Sequence, residues 1–213
     1  MTSSPAEPRP VAYRLEAPIS TSRLVLRPYA VTDIDDYLAY YSRDDVTRFL
    51  LHGPITRQEA EKRLLSRETA TGLNADGDLL VLAIELRETA DAPARVVGDV
   101  DMQLKSAVNG QATIGWALHP DVHGLGYAVE AASALLDLAF TEAGVHRVYA
   151  ELDPRNEASA ALCRRLGMRH EAHFVEDTMF KGSWADTGVY ALLAHEWAGR
   201  QPPAIRDDVS RAR

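Results

Sequence analysis

The stretch His119-Pro-Asp-Val-His-Gly-Leu-Gly-Tyr-Ala128 sets two glycines, Gly124 and Gly126, between an apolar strand-like run and an amphipathic helix-like run. A turn of this kind presents bare backbone N–H groups at a helix N-terminus, which is a ready site for an anion. Glycine suits it because a Cβ would hold a phosphate away from the backbone. The chemistry on offer is binding of a phosphate or diphosphate. No lysine lies in the turn and no Gly-Lys-Ser or Gly-Lys-Thr occurs, which excludes a P-loop.

A dinucleotide site is the competing reading. Gly124-Leu125-Gly126 gives the first two glycines of that fingerprint, and Glu151 ends the next strand about where a ribose-binding acid belongs. Against it, Val129 occupies the third glycine position, and five residues separate Leu118 from Gly124. A purely structural helix start is the third reading. His119 and His123 have the i, i+4 spacing of a helical zinc pair, but Pro120 and Gly124 rule out a helix across them. No third ligand is suggested, so the expectation is no metal. A Gly-x-Ser-x-Gly elbow is missing, which leaves a serine hydrolase unsupported.

The bulk properties bound these readings. A chain of 213 residues supports one well-buried core. No apolar run approaches the roughly 20 residues of a membrane helix, and the N-terminus lacks a basic-then-apolar pattern. The single cysteine, Cys163, excludes an intrachain disulfide and a cysteine-cluster metal site. Together these read as cytoplasmic, with no membrane partner. The net charge of −8 argues against non-specific nucleic-acid binding. It suits a cationic small molecule or peptide amine, and equally serves solubility alone.

The elements that must position the turn follow from pattern. Residues 1–18, with Pro5, Pro8, Pro10 and Pro18, and residues 199–213 read as tails flanking one domain at 19–198. Leu24 and Leu26 alternate with Arg23, Val25 and Arg27 in a strand that Pro28 ends. Thr32 and Asp35 have capping-box spacing before a helix carrying Ile34, Leu38 and Tyr41; Thr56 and Glu59 start another. Two strands near 79–88 and 94–105 and a third at 112–119, after an Asn109-Gly110 turn, predict an antiparallel meander. A helix from Ala128, with Val129, Leu135, Leu136, Ala139 and Phe140 on its buried side, ends at Gly144. A strand at 147–152 and a short helix from Asn156 to Gly167 follow, then two final strands. Strand, helix, strand is a crossover unit, so the strands at 112–119 and 147–152 should run parallel. The fold class is therefore mixed α/β.

Several segments together resemble the GNAT superfamily of acyl-CoA-dependent N-acetyltransferases, and within it the RimJ/RimL-like branch. The family signature is Gln or Arg, two residues, Gly, one residue, then Gly or Ala; residues His123 to Ala128 match it except at His123. The segment Asp153 to Met168 is similar to the family's Asn-x-x-Ser helix ending in Lys/Arg-Leu-Gly-Phe, with Met168 in place of Phe. Residues 20–37 and 182–197 are similar to this branch too, so the likeness spans about 20–198. No dinucleotide fold predicts those outer segments.

The resemblance implies a GNAT fold, a twisted mixed sheet of six to seven strands whose splay forms an acyl-CoA cleft. The acetyl-CoA diphosphate would take N–H groups of His123, Gly124, Leu125, Gly126, Tyr127 and Ala128. Pantetheine amides would pair with Trp116, Ala117 and Leu118, where a β-bulge opens the sheet in relatives. Asn156 and Ser159 would face the pantetheine arm, although both also suit a helix start. Arg164 or Arg165 would meet a phosphate or simply lie on a solvated face. The acceptor would be a primary amine, on a protein N-terminus or a small molecule such as an aminoglycoside, and dimers are common in the family.

Acyl transfer to an amine needs a base for the ammonium proton and a donor for the developing oxyanion. Many relatives carry Glu where Thr113 stands, and Tyr where Cys163 stands. Asp101, Glu151 and Asp186 are the candidate bases, and Ser159 is a candidate acid. Without a secure base or acid, a non-catalytic acyl-CoA-binding module is the alternative.

Overall fold

The computed structural model describes residues 10–200. The chain begins with β1 (Tyr13–Arg14), β2 (Ile19–Ser20), β3 (Leu24–Arg27), α1 (Ile34–Tyr41), α2 (Asp44–Thr47) and α3 (Arg57–Glu68). Next come β4 (Gly72–Leu73), β5 (Leu79–Leu86), β6 (Arg95–Ser106), β7 (Gln111–Leu118) and α4 (Tyr127–Thr141). The last part holds β8 (Arg147–Leu152), α5 (Glu157–Arg165), β9 (Arg169–Phe180), β10 (Ser183–Leu193) and α6 (Ala194–Ala198).

Eight strands form one sheet in the order β2-β3-β5-β6-β7-β8-β10-β9, and β1 pairs separately with β4. The expectation of six to seven strands missed the two-residue β2, too short to leave an alternation. Residues 1–9 and 201–213 of the expected tails lie outside the described residues. Residues 10–18 correct the tail boundary: Val11 is buried, and Tyr13 pairs with Leu73.

Helices cover both faces, so the central strands are buried on both sides. One face packs α4 and α5 through Leu135, Leu136, Ala139, Leu162, Cys163 and Leu166. The other packs α1 and α3 through Tyr37, Tyr40, Tyr41, Ala60 and Leu64. On α4 the buried stripe includes Ala131, Ala132 and Leu138, whereas Val129 and Phe140 are half-buried. The expected Thr32–Asp35 box does not form. A 3-10 turn at Val31–Asp33 precedes α1, and the Asp33 carboxylate accepts from Ala30 N (2.8 Å) and from Arg27. The Thr56–Glu59 box does form, with Thr56 N donating to Glu59 at 2.8 Å.

The meander β5-β6-β7 is antiparallel, and β7 runs parallel to β8. Gly110, at φ 58°, makes the β6–β7 turn, and its carbonyl accepts from His146 N and Arg147 N, tying in the start of β8. The parallel pairing covers only Gln111–Thr113 against Arg147–Tyr149. Beyond it the two strands diverge, β7 toward Leu118 and β8 toward Leu152. The expected bulge near Trp116 is not what opens the sheet: β6 and β7 stay in unbroken register from Gly98↔Leu118 to Leu104↔Ala112. Among the described residues, no helix is long and apolar enough to cross a membrane.

Candidate active site

The divergence of β7 from β8 opens a cleft of about 180 Å³. Asp101, Gly115, Trp116 and Ala117 line it from the meander, Glu151 from β8, and Asn156 and Ser159 from α5. Tyr41, Phe49 and Leu50 close it from the α1–α3 side.

Asp99 and Asp101 lie two residues apart on one face of β6, and their environments differ sharply. Asp99 is 1% exposed and saturated: its carboxylate accepts from Tyr29 (2.9 Å), Tyr41 (3.0 Å), Tyr40 (3.3 Å) and Arg67 (2.7 Å). Burial opposes the Arg67 charge, but Asp99 and the surrounding tyrosines outweigh it and hold the guanidinium protonated. Burial also pushes the hydroxyls of Tyr29, Tyr40 and Tyr41 well above their usual range, so they remain donors. Asp101 faces the cleft with no hydrogen-bond partner among the described residues. Burial, then the neighbouring Asp99 charge, push its carboxyl up to about 6, with Arg67 acting the other way.

Gly115 makes room for that carboxylate. It pairs with Asp101 across β6 and β7, and a Cβ there would lie 2.7 Å from Asp101 Oδ2. Thr113, where relatives carry Glu, lies two residues from Gly115 on the same face of β7 and pairs with Gln103. The adjacent strand thus presents a carboxylate, Asp101, on the face that Thr113 shares. A Gly115→Ala change leaves the backbone path allowed and displaces only the flexible carboxylate. We expect turnover to fall at least tenfold, with the affinity of a ligand held at the glycine turn within about twofold of wild type by calorimetry. Unchanged turnover would detach this carboxylate from the chemistry.

The other candidates distribute unevenly. Glu151 lines the cleft, is exposed, and pairs by backbone with Val189. Asp186 is drawn away: it accepts from Glu176 N (2.9 Å) and pairs with His173 (2.7 Å), which hold its carboxyl below the usual range. Ser159 Oγ accepts from Trp116 Nε1 at 3.2 Å, leaving its own proton free to be donated into the cleft. Asn156 caps α5, its side-chain oxygen accepting from Ser159 N at 3.1 Å. Its amide nitrogen has no partner among the described residues and borders the cleft. Cys163 is buried in the core, its thiol pushed up to about 12 by burial, and it does not line the cleft. Arg164 and Arg165 are both exposed on α5 and lie outside the cleft lining.

At the glycine turn, Gly124 and Gly126 have φ of 77° and 81°, a region that side chains with a Cβ disfavour. Gly126 is the N-cap of α4, and Glu130 N closes the first helical bond onto its carbonyl. The N–H groups from Gly124 through Val129 donate to none of the described residues. His123 departs from expectation. Its N–H donates to Pro120 O, and its ring pairs with Leu118 O at 3.1 Å. The free run therefore begins at Gly124, and the Leu118 carbonyl is already taken. His119 is also engaged, its Nδ1 accepting from Asp121 N.

Sequence reasoning missed Asp99, Arg67, Gly115 and Phe49. None of them left a local signal: counting outward from Asn109-Gly110 sets Asp101 against Leu118, whereas the turn over residues 107–110 and a register shift between Leu104 and Ser106 set it against Gly115.

Comparison with known proteins places these features in context. The family described as acetyltransferase (GNAT) domain matches residues 23–169. YnaD of Bacillus subtilis, an uncharacterized N-acetyltransferase, is 30% identical over 179 residues, covering 84% of this chain and 98% of its own. A probable GNAT-family acetyltransferase from Chromobacterium violaceum superposes with a TM-score of 0.77 at 24% identity, covering 93% of this chain and 96% of its own. The spermidine N-acetyltransferase of Vibrio cholerae, solved with CoA and spermine, shares the fold at a TM-score of 0.68 and 19% identity, covering 84% and 99%.

Proposed function

Since the chain belongs to the GNAT family of acetyltransferases, we propose that it transfers an acetyl group from acetyl-CoA to a primary amine by direct attack in a ternary complex. We also assign it to the RimJ/RimL-like branch, on the likeness of residues 20–37 and 182–197. The observation that carries the reaction is the unpaired Asp101 carboxylate in the cleft where the sheet splays.

In this reading the diphosphate sits on the free N–H run from Gly124 to Ala128, at the positive end of α4. The pantetheine arm lies along β7 at Trp116 and Ala117, with the Asn156 amide donating to one of its carbonyls. The amine enters from the Tyr41 and Phe49 side, drawn by Asp101 and Glu151, which form no ion pair among the described residues. The ammonium first releases a proton to solvent and the neutral nitrogen attacks the thioester carbonyl; attack makes that nitrogen strongly acidic, and Asp101, near 6, is matched to take its second proton at neutral pH. Collapse of the adduct breaks the C–S bond. The Ser159 hydroxyl is the nearest proton source for the departing thiolate, which is a fair leaving group even unaided.

Calorimetry with acetyl-CoA on wild type and Gly126→Trp tests the donor site. Micromolar binding by wild type is expected, lost in the variant with its circular dichroism unchanged. Thiol release with a panel of monoamines, polyamines and peptides then tests transfer. Binding without thiol release from any amine would favour a non-catalytic acyl-CoA module. No binding to wild type would overturn the reading altogether.

A further inference from the structure

The glycine turn has no lysine or arginine anywhere between His119 and Ala132, and Glu130 places a carboxylate one turn into α4. An anion on the free N–H groups would meet that charge. The structure answers with an arginine from far away in the chain. The loop Thr21–Arg23, between β2 and β3, is drawn onto the helix start by Glu130. Its carboxylate accepts from Thr21 Oγ1 (2.6 Å), Ser22 Oγ (2.9 Å), Arg23 N (2.9 Å) and Arg23 Nε (2.7 Å).

The rest of the Arg23 side chain is held as firmly. Its guanidinium lies over the Tyr127 ring, 4.4 Å from the centroid, and Nη1 donates to Leu125 O at 2.9 Å. Nη2 has no hydrogen-bond partner among the described residues. It stands 3.4 Å from where a Cβ on Gly126 would be, against the turn itself. Three of the guanidinium's attachments therefore serve only to fix the fourth group, and the fixed group is an unused donor beside unused backbone donors. An arginine held this way loses little freedom on meeting a phosphate oxygen.

We infer that Arg23 is a ligand of the donor's diphosphate, its Nη2 supplying the side-chain positive charge that the turn lacks. This rests on the acyl-CoA reading of the turn. It also accounts for His123: with the cation supplied from the loop, that side chain is free to turn inward onto Leu118 O.

The test compares two donors, acetyl-CoA and S-acetyl-pantetheine, which lacks the diphosphate and nucleotide. In Arg23→Gln, the ratio of the acetyl-CoA KM to the acetyl-pantetheine KM should rise roughly tenfold to a hundredfold, as loss of one charge-assisted bond implies. Arg23→Lys keeps the charge without the fork and should fall between, and it carries the test if Arg23→Gln does not fold. An unchanged ratio, or a rise matched in full by Glu130→Gln, which loosens the same helix start while leaving the Arg23 charge in place, would mark a merely structural arginine and overturns the assignment. Failure of the acyl-CoA reading looks different, since wild type itself would bind no acetyl-CoA in the calorimeter.

Discussion

Asp101→Asn should abolish most turnover and at the same time stabilise the protein. Loss of a positioned base costs on the order of a hundredfold to ten-thousandfold in rate. Wild-type kcat/KM should fall with unit slope below about pH 6, where the carboxylate becomes protonated. The stability effect follows from linkage. The folded-state value, about 6, is raised above the ordinary 3.8, so folding favours the protonated form. That contribution is fully present below pH 4 and is lost as pH rises through 6, leaving the ionised carboxylate destabilising at neutrality. Asparagine removes the burden, worth about 2 to 3 kcal/mol at most. Urea unfolding should therefore show the variant more stable than wild type at pH 8 and nearly equal at pH 4. A variant that keeps a tenth of wild-type turnover, or a rate profile flat through pH 6, would remove Asp101 from the chemistry.

Arg67→Leu should be the most destabilising single change near the site. It leaves Asp99, 1% exposed, with three tyrosine donors and no cation. Breaking a buried pair from one side costs about 3 to 5 kcal/mol, whereas a hydrophobic replacement of both members is often neutral. For a domain of this size, that corresponds to a Tm lower by roughly 10 °C or more. Asp99→Asn in the same background should recover part of the loss, because the stranded charge is gone. A second consequence separates electrostatics from simple unfolding. Arg67 is the cation that opposes the rise of the Asp101 carboxyl. With it removed, the acid limb of the rate profile in the folded fraction should move above pH 6. An unchanged Tm would overturn this account of the Arg67–Asp99 pair.

The parts of this architecture that announce themselves in the sequence are those with a local cause. The Asn109-Gly110 pair marks the β6–β7 turn, though not its register, the Thr56–Glu59 box starts α3, and the glycines at 124 and 126 mark a left-handed turn before α4. Thr32 misled because a 3-10 turn formed first, with Asp33 held by Arg27 from a neighbouring strand. Val11 was invisible as core because a single apolar residue among prolines carries no period. The site divides the same way. Candidate acids were legible as residue types, but what separates Asp101 from Asp186 is their surroundings. Asp186 is occupied by His173 and Glu176, whereas Asp101 is left alone beside a saturated Asp99. Arg23 is 107 residues from the carboxylate that fixes it, and no spacing rule connects them.

The brief parallel pairing of β7 and β8 has a consequence for the reaction cycle. Among the described residues, β7 and β8 join the five-strand half of the sheet to the three-strand half through Gln111–Thr113 and Arg147–Tyr149, together with the Gly110 carbonyl's bonds to His146 and Arg147. In the proposed complex the pantetheine amides extend that seam, so the donor acts as a short ninth strand and is bound partly as secondary structure. Those bonds involve the arm and not the acetyl group, so free CoA keeps all of them after transfer. Binding energy of that kind is uniform along the reaction path and accelerates nothing. Its effect falls at the end of the cycle, where the seam must be unzipped before the next donor can enter. From the strand divergence we therefore expect product inhibition by CoA, competitive with acetyl-CoA.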